Sequence, residues 1–322
     1  MRLLLTLLIA LAVGLSIAQA DSPLLVAQPA QPMDRTKGWF DYLVVDAKLG
    51  RLLLAHAGNS ELAVIDLKTS GLLKRVDTGS SRGVAVDERD GVYFVGTADS
   101  GVAVVDRRSL APRTKVDTAG PVDAIAFDPK NDTLYADEDG GTAVWAINGR
   151  SLKIVATIAI PSDPEYVVYD PVSDRVYQNI VSTSSVAVID PVTNQIVATW
   201  PVAPATRPHG LAVDGARHLL FSAGANGKLA VLNSQTGALL TALDIAPRVD
   251  QIVFDPGTRR VYCASGTGIV SVVQETDTSA TSLGDVVVPR GAHTIATDPA
   301  TGAVWIAYGG DQTDFVMKLT QP

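Results

Sequence analysis

Seven ionisable side chains recur along the chain at intervals of 41 to 44 residues. Each lies five residues before an aspartate that closes a short apolar run. The seven, which we call the ring residues, are Asp41, Arg82, Asp123, Glu165, His209, Asp250 and His293. Imidazole and carboxylate groups together can bind a divalent ion such as zinc or manganese, or can transfer protons as general acids and bases. The pattern therefore predicts a charged site wherever the fold brings these positions together.

Within this set we predict one divalent metal ion, with ligands drawn from four members that are consecutive around a closed ring. These are His209, Asp250, His293 and Asp41. The candidates for a catalytic acid or base are His209, His293 and Glu165. With histidine neutral, the ring residues carry a charge of about −3, which would attract a cation. A purely structural ring, in which Arg82 pairs with Asp41 and Asp123, explains the same pattern, and both interpretations stay open at this point.

The elements that position the ring residues come from a repeat. The closing aspartates are Asp46, Asp87, Asp128, Asp170, Asp214, Asp255 and Asp298. A second apolar run begins about five residues after each one, a third run follows it, and a fourth run is more variable. Helical spacing is absent, and clusters of Gly, Asn, Asp and Ser separate the runs. Four short strands in each unit of roughly 40 to 45 residues predict an all-β fold, a propeller of seven four-stranded antiparallel blades.

The seventh unit supplies only three strands before the chain ends. The segment Leu24–Ala27 resembles the fourth strands of other units, so we predict that it completes the last blade and closes the ring. An open ring would leave unpaired sheet edges that favour aggregation. Residues 21–322 are accordingly interpreted as one propeller domain.

Propeller geometry places the first strand of every blade nearest the axis, so the ring residues should meet at one mouth of the central channel. The loops between second and third strands reach the same face and add outer candidates. These are His56, Glu138, Asn179, Asn226, Tyr308 and Asp311. From them we include His56 and Tyr308 with the seven ring residues in the predicted ligand-binding set.

The N-terminus has the features of a signal peptide over residues 1–20: a basic Arg2, an apolar stretch from Leu3 to Ile17, and the small residues Ala18 and Ala20 flanking Gln19. It predicts export to the periplasm or the medium, with no membrane insertion after its removal. The single cysteine, Cys263, cannot form an intramolecular disulfide and is interpreted as a small buried residue. The formal net charge of −8, without a basic stripe, argues against a nucleic-acid partner. We expect a monomer.

The repeat resembles the YVTN-repeat or YncE-like seven-bladed propellers over nearly all of the predicted mature chain. The resemblance is carried by Leu211–Asp214 with Lys228–Asn233, and by Ser185–Asp190 followed by Thr193–Thr199. It implies the propeller fold and favours an exported protein that binds a small ligand or a protein partner at the channel mouth without covalent catalysis. The sequence has no H-E-x-x-H or C-x-x-C motif. The alternative is a metal-assisted hydrolase or lyase, similar in the placement of its site to propeller lactonases and streptogramin lyases.

Overall fold

The repeated apolar runs form strands, and turns occupy the polar clusters between them. The computed structural model describes residues 22–33 and 38–322, so the predicted signal peptide lies outside the described residues. Two short strands come first, β1 (Val26–Ala27) and β2 (Gln31–Met33). Blade 1 contains β3 (Leu43–Asp46), β4 (Arg51–His56), β5 (Glu61–Asp66) and β6 (Leu72–Asp77), with a 3-10 turn at Ala57–Asn59.

The next five blades each consist of four consecutive strands. Blade 2 contains β7 (Ser81–Asp87), β8 (Val92–Thr97), β9 (Gly101–Asp106) and β10 (Pro112–Asp117). Blade 3 contains β11 (Val122–Asp128), β12 (Thr133–Glu138), β13 (Ala143–Asn148) and β14 (Ile154–Ala159). Blade 4 contains β15 (Pro164–Asp170), β16 (Arg175–Ile180), β17 (Ser185–Asp190) and β18 (Gln195–Pro201). Blade 5 contains β19 (Pro208–Asp214), β20 (Leu219–Gly224), β21 (Lys228–Asn233) and β22 (Leu239–Asp244). Blade 6 contains β23 (Val249–Asp255), β24 (Arg260–Ser265), β25 (Ile269–Glu275) and β26 (Ala280–Val287).

Blade 7 contains β27 (Thr294–Asp298), β28 (Ala303–Gly309) and β29 (Asp314–Thr320), and it is completed from the N-terminus as predicted. The completing segment is broken in two: β1 pairs with one end of β29 and β2 pairs with the other. Pro29 lies between them and has no N–H to donate, which accounts for the interruption of the ladder. The prediction of seven antiparallel blades closed by an N-terminal strand is confirmed.

Each closing aspartate fixes the turn to the second strand. In blades 2 to 7 it accepts the backbone N–H two residues further on, at 2.8 to 3.1 Å. In blade 1 the donor is three residues on, where the Leu49 N–H lies 3.2 Å from Asp46. These contacts stabilise the turn because Asx side chains substitute for backbone acceptors there.

The core lies between adjacent blades. The third residue of every second strand is fully buried, and in six blades it is aromatic: Leu53, Phe94, Tyr135, Tyr177, Phe221, Tyr262 and Trp305. The tyrosines also link neighbours, since the Tyr177 hydroxyl donates to the Ser234 carbonyl of the next blade at 2.7 Å. Regular packing of this kind makes the ring a rigid frame for side chains at its centre. Among the described residues, no helix is long and apolar enough to cross a bilayer.

Candidate functional site

The first strands of neighbouring blades pack side by side around the centre, so the residues that begin them meet on one side of the ring. Five ring residues are the second residues of β7, β11, β15, β19 and β23, while Asp41 and His293 lie just before β3 and β27. Glycines follow Arg82 and His209. A Cβ on Gly83 would come within 2.5 Å of the Asp123 carbonyl oxygen, and one on Gly210 within 2.9 Å of the Ile252 nitrogen. Absence of a side chain there lets adjacent first strands approach closely.

One half of the mouth is organised around Arg82. Its Nη1 lies 3.0 Å from Asp41 and 3.8 Å from Asp123, and its Nη2 lies 3.4 Å from Asp139. The Trp39 ring covers the guanidinium with its centroid 4.6 Å away. Trp39 is 41% exposed, which places an aromatic face at the rim of the mouth. The ion pairs between Arg82 and the two ring acids agree with the structural interpretation for this half.

The other half joins blades 4, 5 and 6 through His209. Its Nδ1 lies 2.8 Å from Glu165 Oε1 and 3.7 Å from Asp250 Oδ1. Burial by itself lowers the pKa of His209, but the hydrogen bond to Glu165 and the charges of Glu165 and Asp250 outweigh burial and raise it. No protein group within the described residues bonds Nε2 of His209. The Glu165 carboxylate thus orients the His209 imidazole, and Nε2 of His209 is available to a ligand.

His293 is held differently. Its Nδ1 lies 2.8 Å from the Gly291 carbonyl oxygen and its Nε2 lies 2.8 Å from the Phe40 carbonyl oxygen. Carbonyl oxygens only accept hydrogen bonds, so satisfying both contacts requires a proton on each nitrogen. Nε2 is also 3.7 Å from Asp250 Oδ2. Both ring nitrogens of His293 are therefore directed at backbone carbonyl oxygens, and neither is directed at a metal.

Several carboxyl groups at the mouth have raised pKa values. Burial, and then the charge of Asp250, raise the pKa of Asp41 to about 7 in spite of Arg82. Burial also raises the pKa of Asp123 and of Asp137 well above the ordinary range, with further repulsion from neighbouring acids. Burial raises the pKa of Asp250 although both histidines oppose the shift. A bound cation would relieve this repulsion.

One residue deeper than the ring residues, the channel is closed by side chains that cross it. Tyr42 of blade 1 contacts Tyr166 of blade 4, with ring centroids 5.1 Å apart. Gln251 of blade 6 donates to the Tyr166 hydroxyl at 3.1 Å and to the Leu43 carbonyl at 3.0 Å. The mouth is consequently a concave site with a floor.

A cavity of about 320 Å³ opens beside this floor in blades 5, 6 and 7. Its lining residues are His209, Ala225, Arg248, Val249, Asp250, Gly266 and His293. Volumes near 300 Å³ are at the small end of the range for small-molecule sites. Asp250, His293 and Arg248 all contribute to the lining, so a ligand there meets acidic and basic side chains together.

The outer candidates do not join the ring residues. His56 is fully buried, with Nδ1 3.1 Å from Glu61 and Nε2 3.0 Å from Asp314, and it stacks on Phe40. In this structure it has no exposed surface for a ligand. Tyr308 lies in β28 and stacks on Phe315 at 5.3 Å, away from the cavity lining.

Three other outer candidates shape the backbone. Glu138 accepts the Thr142 N–H at 2.9 Å, and Asn226 accepts the Thr206 N–H at 3.1 Å. Buried Asn179 donates to the His209 carbonyl at 2.7 Å, which fixes the strand that carries the histidine. Asp311 is exposed in the loop between β28 and β29.

Several residues that shape the mouth were not predicted from the sequence. They are Trp39, Tyr42, Asp137, Tyr166, Gln178 and Gln251. Three of them, Tyr42, Tyr166 and Gln251, occupy the position directly after a ring residue, where the other blades carry Gly, Ala or Thr. Comparing that position across blades would have identified them. Asp137 lies in a second strand and reaches the Ala124 N–H at 2.6 Å, a contact for which the repeat carries no signal.

The described residues contain two groups of side chains with ligand atoms close enough to hold a metal ion. One is Glu165, His209 and Asp250, whose ligand atoms all lie within 4.8 Å of one another. It shares His209 and Asp250 with the predicted set, and neither His293 nor Asp41 belongs to it. The other consists of Asp87, Asp90 and Asp132. There Arg89 bonds Asp132, and Arg150 lies 3.1 Å from Asp90, so arginines already neutralise the acids.

Neither protein-family profiles nor curated proteins match this sequence. Among solved structures, hydrazine synthase of Kuenenia stuttgartiensis is similar, with a TM-score of 0.75 and 14% sequence identity. The match covers 85% of this chain and 94% of that one. At this identity the similarity shows the propeller fold and carries no information on function.

Proposed function

We propose that this chain is an exported, non-catalytic propeller of the YVTN-repeat or YncE-like type that binds a small ligand at the charged mouth. The observation that carries the proposal is the 320 Å³ cavity beside the floor of the mouth, whose lining includes Asp250, His209 and His293. A concave site with a few convergent polar groups on a rigid frame is the usual form of a small-molecule site. The predicted signal peptide supports placement in the periplasm or the medium.

The chemistry of the mouth favours a ligand that carries positive charge. Asp41, Asp123, Glu165 and Asp250 face one arginine and two histidines, and burial disfavours leaving so many carboxylates uncompensated. The concave shape favours a small ligand over a protein partner, since protein interfaces need a much larger contact area.

A ligand screen by thermal shift and titration calorimetry tests the proposal. The purified mature protein is compared with Asp250→Asn, which keeps the shape of the site and removes its charge. Asp244→Asn is the matched control, because this aspartate is 86% exposed on an outer strand of blade 5. We expect saturable binding of at least one organic cation or metal salt, lost in Asp250→Asn and kept in Asp244→Asn. Ligands that bind all three proteins equally would place binding elsewhere.

The Glu165–His209 contact favours one second candidate, a metal-assisted hydrolase or lyase. A histidine oriented by a carboxylate through Nδ1 can act as a general base through Nε2. Turnover of lactone or ester substrates that is reduced by His209→Gln and by Glu165→Gln, and kept in Asp244→Asn, would support this function. Without turnover across such a panel, the binding function stands.

A further inference from the structure

The geometry points to a divalent metal ion, zinc or manganese, bound by Glu165, His209 and Asp250 at the mouth. This inference rests on the proposed function and specifies its ligand. The three side chains come from the starts of β15, β19 and β23, the first strands of three consecutive blades. No two of them are neighbours in sequence, so only closure of the ring brings them together.

The distances fit shared coordination after small adjustments. Nδ1 of His209 lies 2.8 Å from Glu165 Oε1 and 3.7 Å from Asp250 Oδ1. Ligands bound to zinc at about 2.0 to 2.2 Å are separated by roughly 2.9 to 3.5 Å, depending on the coordination geometry. Both contacts are therefore within about 1 Å of the separations that a bound ion requires. Side-chain rotation alone can supply a change of that size.

The surroundings supply charge that a cation would offset. Three further acids lie near the three proposed ligands: the buried Asp123 and Asp137 and the partly buried Asp41. Their compensation by protein groups is partial, because Arg82 lies 3.0 Å from Asp41 but 3.8 Å from Asp123. Arg82 lies in the half of the mouth that holds Asp41 and Asp123, and among the described residues no arginine forms an ion pair with Glu165 or Asp250.

Supporting contacts already hold the central ligand in place. Asn179 donates to the carbonyl oxygens of His209 at 2.7 Å and Gly210 at 3.2 Å. Ser222 in turn donates to Asn179 at 2.9 Å. Metal sites need such an outer layer of hydrogen bonds because it keeps the ligands oriented. This chain of contacts gives Asn179 a positioning role.

His293 serves as an internal control for the ligand set. It borders the same cavity and lies near Asp250, but carbonyl oxygens occupy both of its ring nitrogens. A structural ion-pair ring and a metal site therefore make different predictions for the two histidines. Only the metal site requires His209 and tolerates loss of His293.

The choice of metal follows from the donor types. One imidazole with two carboxylates suits zinc or manganese, whereas copper(I) prefers sulfur ligands and calcium prefers six to eight oxygens. His209 and Asp250 also line the cavity, so a molecule in the cavity would lie beside an ion bound by them. Arg248 in its lining would favour a small anion or water there.

The test is calorimetric titration of the chelator-treated mature protein with zinc chloride and with manganese chloride. We expect one site per chain, weakened roughly 100-fold or more in His209→Gln and in Glu165→Gln. Asp244→Asn should bind as the unmodified protein does, and His293→Gln should lose clearly less affinity than His209→Gln, because His293 borders the site without being a ligand. Circular dichroism and melting curves identify any variant that has lost its fold, and the two independent ligand variants guard against that outcome.

Absence of stoichiometric metal binding would overturn this inference, as would equal losses in His293→Gln and His209→Gln. If metal does not bind while an organic cation still binds and depends on Asp250, the metal site is wrong and the proposed function stands. If neither binds at the mouth, both are wrong.

Discussion

Replacing Gln251 with leucine should destabilise the propeller strongly, because this single side chain joins four blades beneath the mouth. Gln251 is 4% exposed. Its Oε1 accepts from the Leu43 N–H at 3.2 Å, the Ile295 N–H at 2.9 Å and the Thr294 hydroxyl at 2.7 Å. Its Nε2 donates to the Leu43 carbonyl and to the Tyr166 hydroxyl.

The magnitude follows from the groups that lose their partners. Leucine has nearly the same volume, so the cavity term is small. Three buried backbone groups, the N–H and C=O of Leu43 and the N–H of Ile295, lose hydrogen bonds at a cost of about 1 to 3 kcal/mol each. Allowing for partial relaxation, we expect the free energy of unfolding to fall by about 3 to 6 kcal/mol.

A double-mutant cycle with Thr294→Val makes the test specific. That variant removes only one of the five hydrogen bonds and should cost about 1 kcal/mol. In the double variant Gln251→Leu/Thr294→Val, the threonine exchange should add almost nothing, giving a coupling of about 1 kcal/mol. Urea unfolding followed by tryptophan fluorescence measures all four proteins, with the m-value unchanged. A loss below about 1 kcal/mol for Gln251→Leu, or strict additivity, would refute this reasoning.

Three further predictions concern ring closure, pH dependence and the cysteine. Deletion of residues 21–28 should lower the melting temperature markedly, and unchanged melting would contradict closure of the ring by this segment. Leu25 is only 5% exposed, so Leu25→Ala should lower the free energy of unfolding by about 2 to 3 kcal/mol. Val26 is 39% exposed, so Val26→Ala should lower it by less than about 1 kcal/mol. Burial, and then a hydrogen bond to Asp214, raise the pKa of Glu275 from an unperturbed 4.5 to about 7. The folded protein therefore binds this proton more tightly than the unfolded chain, and the free energy of unfolding should fall by up to roughly 3 kcal/mol as the pH rises from 4.5 to 7. Glu275→Gln should reduce this fall, measured as melting temperature against pH. Parallel curves for the two proteins would refute the assignment. Burial raises the pKa of Cys263, so it should react with a thiol reagent only after unfolding in urea, and rapid labelling of the native protein would contradict this.

Most of the fold could be predicted from the sequence repeat. The closing aspartates recur at each turn to the second strand because that turn needs the same hydrogen bonds in every blade. A fixed period then implies that residues at one register share one face, and the ring residues do so. The sequence shows Pro29, but it does not show that this residue interrupts pairing of the N-terminal segment. That pairing is with β29, which is distant in sequence.

The site was less predictable from the sequence. The position of a residue within the repeat determines where its backbone lies in the blade, but it does not determine which partners its side chain contacts. His209 and His293 look equivalent in the repeat, yet His209 faces Glu165 while His293 faces two backbone carbonyls. The Phe40 carbonyl that accepts from His293 comes from the other end of the chain, so no local pattern reports it. His56 is similarly placed by partners on β5 and β29, which bury it completely.

We expect Glu165, His209 and Asp250, which come from three consecutive blades, to bind one metal ion together. A crystal structure of the protein soaked with zinc chloride, with anomalous data collected at the zinc edge, tests it most directly. We predict one strong peak at the mouth, about 2.0 to 2.2 Å from an oxygen or nitrogen of each of the three side chains. A mouth without a zinc peak, or zinc bound through His293 with His209 turned away, would contradict the account.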